Sequence, residues 1–329
     1  MDKIIGMGNA LVDVLVTLPD DSLLNQMNLP KGSMQLIDDN RYIQIKSVFD
    51  TMRTDRSTGG SAGNTVKALA ALNVQPGFIG KIGPDAMGDF FREDGIRRGI
   101  NMKLLRSKVY SGVASTFFIT PDGERTFATH LGAAHTMHAE DLYAELFRGY
   151  TYLYIEGYLV QDHDLILRAM QLAKDEGLQV CLDMASYNIV AENIDFFKFL
   201  IGRYVDVVFA NEEEAKALTG KEVKDALDEI ASQCSIVIVK LGAKGSVIKK
   251  GTEVVQIDIS PEQHVVDTTG AGDFYAAGFL YGLINGYSLN KCGMIGTVLA
   301  SAVIKSVGTT LSKQQWDEIK FNIEELVQG

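Results

Sequence analysis

The sequence is poor in cysteine, proline and tryptophan. Its three cysteines, Cys181, Cys234 and Cys292, form no C-x-x-C pair. That argues against a zinc ribbon or a redox dithiol, and scattered cysteines in apolar stretches read as reduced core residues of a cytoplasmic protein. Six prolines and no Ser/Gly-rich tract leave no flexible linker, and no repeat of fixed period is present. Basic residues are outnumbered, 31 Lys+Arg against 42 Asp+Glu, for a net charge of −11. That balance disfavours non-specific nucleic-acid binding and docking on anionic membranes, so neither partner is expected. No apolar run reaches the ~18 residues of a membrane span. The N-terminal MDKIIGMGNALVDVLV carries Asn9 and Asp13 and lacks a small-residue cleavage site, unlike a signal peptide.

Several catalytic signatures are also missing. There is no G-x-x-x-x-G-K-[ST], which excludes a P-loop nucleotide hydrolase. Gly6-Met7-Gly8 starts like a dinucleotide fingerprint, but position 11 is Leu where the third glycine would stand. No H-E-x-x-H or G-x-S-x-G occurs. His130, His135 and His138 match no metal motif and read as loop or surface histidines.

What is present is a globular composition, with 46% hydrophobic and 22% charged residues. At ~150 residues per domain, the length suits two domains or one large domain with an insertion. From about residue 139 onward, helical stretches (139–148, 162–176, 192–203, 212–218 and 222–232) alternate with short apolar runs at 152–157, 178–184, 205–211 and 235–242. Such alternation implies βαβ units and a parallel sheet covered on both faces. These runs end on Glu156, Asp183, Asn211 and Lys240. Parallel strands gather such endings at one carboxyl edge, the place where open α/β sheets bind ligands. Residues 11–38 and 101–130 instead read as short strands without intervening helices, with a hairpin turn at Pro121-Asp122-Gly123. The expected architecture is α/β: a single domain over 1–329, with a parallel-rich central sheet flanked by helices on both faces. A small β-sheet lid from about 11–38 and 101–130 lies over the carboxyl edge.

The strongest chemical signal is Asp267-Thr268-Thr269-Gly270-Ala271-Gly272-Asp273. It follows the strand-like HVV at 264–266 and precedes an apolar helix at 274–284. A glycine-rich loop opening a helix aims N–H groups and a positive dipole end at one point, which suits an anion. Asp273, in the first helical turn, is placed to accept a proton. A second glycine cluster, Gly59-Gly60-Ser61-Ala62-Gly63-Asn64, also opens a helix. The Asn64 amide both donates and accepts, which fits a neutral polyol. Asn9 and Asp13 are polar residues in an apolar strand region that ligand hydroxyls would satisfy.

These two glycine regions, in this order and about 200 residues apart in the sequence, resemble the two signatures of the ribokinase-like (PfkB) carbohydrate kinases. The wording G-M-G-N-A-L-V-D, T-P-D-G-E-R-T-F and I-E-G-Y is most similar to the bacterial adenosine-kinase-like branch. The resemblance implies a ribokinase-like fold and ATP-dependent phosphoryl transfer to a hydroxymethyl group, with Asp273 as general base. It implies an anion hole at Gly270, Ala271 and Gly272, and sugar-hydroxyl contacts from Asn9, Asp13, Gly60 and Asn64. Asn211 and Glu214 match an N-x-x-E motif that organises Mg2+ and phosphate, with Glu214 acting on the metal through water. Lys240, Gly242 and Gly245 match a nucleotide-binding loop that usually begins with Thr, so Lys240 is a departure. Asp267 and Thr269 match positions that hold a monovalent cation such as K+. Asp183 stands where many relatives carry Asn. Arg125, just past the Asp122-Gly123 turn, is a lid residue able to swing toward the transferring phosphate. Phe117, Phe118 and Phe127 would supply an aromatic face to a nucleobase, which favours a nucleoside acceptor. A sugar kinase of ribokinase or fructokinase type and a non-catalytic sensor stay open at this point, as do a monomer and a homodimer.

Overall fold

The structure, a computed structural model, describes residues 3–49, 52, 54–110, 113–120, 125–259 and 264–328, with the backbone alone for 34, 49, 113–119 and 125. Its strands are β1 (Ile4–Met7), β2 (Leu11–Thr17), β3 (Met34–Leu36), β4 (Asp55–Gly59), β5 (Gly77–Ile82), β6 (Asn101–Arg106), β7 (Val113–Ile119), β8 (Arg125–Thr129), β9 (Tyr152–Glu156), β10 (Gln179–Asp183), β11 (Val207–Asn211), β12 (Ile236–Lys240), β13 (Ser246–Lys250) and β14 (Glu253–Ile257). They form a nine-stranded sheet, β14-β13-β12-β11-β10-β9-β1-β5-β6, and a five-stranded sheet, β3-β8-β7-β2-β4. The large sheet is parallel from β6 to β12, with β13 and β14 added antiparallel. The small one is mixed.

Strand alternation splits the large sheet's core in two. Ile4, Tyr154, Cys181, Phe209 and Ile238 pack under the helices Ser61–Ala71, Ala271–Ile284 and Leu289–Val303. Ile5, Leu153, Leu182, Val208 and Val237 face the helices His163–Asp175, Ile194–Arg203 and Val223–Ala231. Both faces are therefore apolar, as a parallel sheet covered on two sides requires. The cysteines are free thiols, with Cys181 and Cys292 buried. Among the described residues, no helix is long and apolar enough to cross a membrane.

The structure corrects several sequence expectations. Asn101–Arg106 pairs with β5 as the last strand of the large sheet, so that part of 101–130 is not in the small one. β4 joins the small sheet instead. Its DRSTG has no apolar alternation, and only pairing with β2 makes it a strand. HVV at 264–266 forms no strand; Val266 N–H donates to the carbonyl of Ile304 at 2.8 Å, beyond the end of a helix. The stretch 139–148 holds only the short turns Ala139–Asp141 and Ala144–Leu146. The segment 192–203 is broken at Asn193 between Tyr187–Glu192 and Ile194–Arg203. His130 lies in a loop as expected but is not at the surface: it is buried, stacks on Tyr42 with ring centroids 4.5 Å apart and bonds Asp39 through Nε2 at 2.7 Å. The Pro121-Asp122-Gly123 turn lies outside the described residues, while β7 and β8 on either side pair antiparallel.

Candidate active site

Four parallel strands end on polar residues, and parity decides where these point. Glu156, Asp183, Asn211 and Lys240 each stand two positions after a residue of the first core, Tyr154, Cys181, Phe209 and Ile238. They therefore emerge on the face covered by the helices Ser61–Ala71 and Ala271–Ile284, beside the first turns of both. In the register Glu156 lies opposite Asp183 and Asn211 opposite Lys240, while Asp183 pairs with Phe209, so the second pair stands two residues further along the strands.

Asp273 sits where those two helices meet. Its Oδ1 accepts from Ser61 Oγ at 2.7 Å and its Oδ2 from Asn64 Nδ2 at 2.9 Å, while Thr65 Oγ1 donates to its carbonyl at 3.1 Å. The amide of Asn64 is oriented in turn by Thr309 Oγ1, which donates to Oδ1 at 3.0 Å. Burial raises the Asp273 carboxyl to about 6 against the lowering effect of the Ser61 and Asn64 bonds, and the charge of Asp183 adds to the rise. Gly270 holds φ +75°, and a Cβ there would fall 2.4 Å from Thr309 Cγ2, so both conformation and space demand glycine. The Ala271 N–H is engaged with the Thr268 carbonyl at 3.1 Å and is not aimed at an anion. That leaves the first-turn N–H groups of Gly272 and Asp273, which a helix does not use internally, as donors. Behind this turn, Asp267 Oδ1 accepts from Thr269 N and Oγ1 at 3.0 and 2.8 Å, and Oδ2 from Gly308 N at 2.7 Å.

Asp13 lies on β2, whose Val12, Val14 and Val16 are buried while Leu11, Asp13 and Leu15 take the other face. Its carboxylate stands against Gly59, where a Cβ would fall 2.4 Å from Oδ2. Burial raises Asp13 to about 7, partly offset by Lys67, while the like charge of Asp273 adds to the rise. Lys67 is itself buried, donates to the Thr58 carbonyl and is lowered to about 8, chiefly by burial. Asn9 N and Nδ2 donate to Glu156 Oε1 at 2.9 and 2.7 Å, and Ala62 N donates to Oε2 at 2.9 Å. Glu156, 1% exposed, thus ties the β1–β2 turn to the Ser61–Ala71 helix. Burial pushes it up to about 7. Gly60, at φ +85°, passes so close to the Asn9 carbonyl that a Cβ would fall 2.2 Å from it.

On the nucleotide side expected from the sequence, Asn211 caps the helix Glu212–Thr219. Its N and Nδ2 donate to the two Glu214 oxygens at 2.8 Å each, and its Oδ1 accepts from Glu214 N at 2.8 Å. The amide of Asn211 therefore holds Glu214, using one of its two N–H donors and one of its two acceptor lone pairs. Glu214 rises to about 7 through burial, against the nearby Lys240 and with the charge of Asp183 adding. Lys240 Nζ lies 3.2 Å from Asp183 Oδ2. Burial pulls the Lys240 ammonium down, but Asp183 and Glu214 overcome it and hold the pKa above its ordinary value. Gly242 and Gly245, at φ +57° and +91°, turn the chain between β12 and β13. Arg125 opens β8, and Phe117 and Phe118 lie in β7; the side chains of all three lie outside the described residues. Phe127 is half-buried on β8.

Three residues of this arrangement were not assigned from the sequence, Ser61, Lys67 and Thr309, and Glu156 stood there only as a strand-final polar residue at the ligand-binding edge. Ser61 and Glu156 stood inside quoted motifs, whereas Thr309 has no local signal and reaches Asn64 only through the fold. Tyr158, 38% exposed just past β9, was missed as well. Burial raises its hydroxyl pKa, and the charges of Glu156, Asp273, Asp183 and Glu214 add to the effect, which puts the ring among the site carboxylates.

Comparison with known proteins agrees with the fold. The chain is similar to the adenosine kinase of Sinorhizobium meliloti, at 33% identity and a TM-score of 0.85 over 98% of this chain and 99% of that one. It is 28% identical to a nucleoside kinase of Methanocaldococcus jannaschii over 81% of this chain and 85% of that protein. It is 27% identical to a 5-dehydro-2-deoxygluconokinase of Geobacillus thermodenitrificans over 84% and 87%. The model of the pfkB family carbohydrate kinases matches residues 33–316, and the chain belongs to that family.

Proposed function

We propose that this ATP-dependent kinase phosphorylates the hydroxymethyl group of a nucleoside, with adenosine as the first acceptor to test. The observation that carries the kinase chemistry is Asp273, a carboxylate held by Ser61 and Asn64 at a helix N-terminus whose first-turn glycines leave room for a phosphate. Each of its oxygens keeps a lone pair after these bonds. The acceptor O–H proton passes to Asp273, the freed oxygen bonds the γ-phosphorus, and the bond to the bridging oxygen breaks with its electron pair leaving on ADP. Gly270 and the N–H groups of Gly272 and Asp273 receive the charge that develops on the phosphoryl oxygens. Asn9, Asp13 and Gly60 border the sugar, and Asn64 serves it by aiming the base. Gly242 and Gly245 shape a turn beside the nucleotide.

Mg2+ fits the residues present in one manner. Among the described residues, no three His, Cys, Asp or Glu side chains converge as metal ligands. Mg2+ commonly keeps several waters and binds through one or two carboxylates plus substrate phosphates, and Glu214, with Asp183 behind it, supplies such a carboxylate. Held there, Mg2+ would supply positive charge that neutralises the ATP phosphates. A K+ at Asp267 and Thr269 belongs to the same proposal, as the resemblance of these two positions implies. Arg125 is the lid's contribution, and closure of the small sheet excludes water.

The nucleoside is favoured over a free sugar by Tyr158 and Phe127, aromatic rings that a nucleobase can stack on for ~1–3 kcal/mol and a pentose cannot, and by the Sinorhizobium relative. The test is an ADP-release assay with adenosine, inosine, ribose and fructose at equal concentration. A nucleoside is expected to have the highest kcat/KM. Ribose or fructose ahead of every nucleoside overturns the acceptor while the kinase stands.

A further inference from the structure

We propose that Lys240 is a catalytic cation: its ammonium contacts the transferring phosphoryl group at the Gly270–Asp273 helix terminus, with Asp183 as the counter-ion that holds it there. The inference rests on the kinase reading above and assigns a residue that the reading leaves without a role.

Position comes first. Lys240 is the last residue of β12, and Ile236 and Ile238 before it pack in the core beneath the Ala271–Ile284 helix. Alternation therefore sends its side chain up the face that ends at that helix's first turn. The second observation is Gly272. Its φ is not positive, so its backbone does not demand glycine. A Cβ on it would fall 3.1 Å from Lys240 Nζ. The missing side chain leaves a direct line between the ammonium and the backbone of the turn. An anion received by the Gly272 and Asp273 N–H groups lies within reach of the same Nζ.

Charge supplies the third. Asp183 Oδ2 is 3.2 Å from Nζ, and Glu214 and Asp273 also act on it. Asp183 is itself fixed, with Oδ1 accepting from Ala185 N at 3.0 Å and Oδ2 facing the Tyr154 hydroxyl at 3.4 Å. One buried cation is thus anchored by Asp183 on one side and stands against the Gly272 backbone on the other, where an incoming phosphoryl anion would meet it. A fixed cation aimed at the site of developing charge needs no reorganisation during the reaction and is most effective in a site shielded from water. The ammonium donates an N–H to a γ-oxygen and keeps its charge throughout; no proton leaves it.

Lys240→Met, Lys240→Gln and Lys240→Arg are compared with wild type in the full chain. If Lys240 acts in the transition state, Met and Gln lower kcat by about 10²–10³ while acceptor KM changes less than about threefold, and Arg recovers at least about a tenfold part of that loss. Calorimetry with ADP, aluminium fluoride and acceptor separates this from a structural role. Lys240→Gln should weaken that transition-state mimic at least about tenfold and ADP alone less than about threefold. Full kcat in Lys240→Gln, or equal weakening of ADP and of the mimic, overturns the assignment. Should Lys240→Met not fold, the Gln and Arg variants decide. A wild type that releases no ADP with any acceptor overturns the kinase reading and this inference together; an active wild type with an unimpaired Lys240→Gln overturns this one alone.

Discussion

At the scale of single residues, the site rests on carboxyl groups that burial keeps above their ordinary pKa. Asp273 is the one that must give up its proton before it can take another. Its carboxyl is raised to about 6, so it is the base only above that pH. Activity on the acceptor, read as kcat/KM at saturating MgATP, should fall as pH drops through about 6. Asp273→Asn keeps the shape and can still accept from Ser61. It presents an NH2 toward Asn64, whose amide then has to turn against Thr309, and it cannot accept the proton. The expected loss is about 10²–10⁴ in kcat with KM little changed. More than about a tenth of wild-type kcat removes Asp273 from the role. Asp13 tests the other half of the site. Asp13→Ala should weaken acceptor binding about 10- to 150-fold, the worth of a charge-assisted hydrogen bond, and leave ADP affinity unchanged. The substitution also leaves the buried Lys67 facing Asp94 and Arg98 without Asp13. Calorimetry with acceptor and with ADP reads both effects, and unchanged acceptor affinity excludes Asp13.

At the scale of elements, the short helix Glu212–Thr219 shows how a cap becomes part of a site. Asn211 and Glu214 form a reciprocal capping box, so the interaction that starts the helix also orients a carboxylate whose charge acts on Lys240. Asn211→Ala should cost about 1 kcal/mol of stability as a lost N-cap. It should also raise the Mg2+ concentration needed for half-maximal rate, because Glu214 Oε1 loses the Asn211 Nδ2 donor that orients it. A drop in melting temperature with an unchanged Mg2+ requirement would limit Asn211 to capping. The Ser61–Ala71 helix works the same way from the other side. Its start is tied to Glu156 through Ala62 N, and it brings Ser61 and Asn64 to Asp273.

At the scale of the whole molecule, Asp13, Glu156, Glu214 and Asp273 all have pKa values raised from about 4 to about 6 or 7. Each binds its proton more tightly folded than unfolded. Between pH ~4.5 and 7 the folded state holds more protons, so the stability these groups contribute is present at low pH and lost as pH rises through their folded values. Carboxyls with lowered values, such as Asp94 and Asp141, act in the opposite sense, but only as pH falls toward and below the ordinary carboxyl value of ~4. The ligand-free protein should therefore melt at a higher temperature near pH 5.5 than near pH 7.5, the reverse of common acid destabilisation. Scanning calorimetry across that range checks it, and a melting temperature that climbs steadily from 5.5 to 7.5 refutes it.

Much of this protein was legible in the chain before it was folded. The βαβ alternation, the strand-final polar residues, the two glycine loops and Asp273 are local patterns, because strand parity, helix dipoles and glycine conformations depend on neighbours in sequence. Residues whose role is set by partners far along the chain were not legible. β4 is a strand only because β2 lies beside it, and β6 leaves the small sheet because β5 offers it an edge. His130 reads as a loop or surface residue, and only packing against Tyr42 buries that loop position. Thr309 orients Asn64 across 245 positions. Lys240 stands in the sequence as an odd residue at the head of a loop, and only the closeness of Gly272 and Asp183 in space makes it a cation aimed at a helix terminus. Sequence determines which groups are present and which face of an element carries them; electrostatic partnership falls off over a few ångströms, and those distances exist only in the packed tertiary structure.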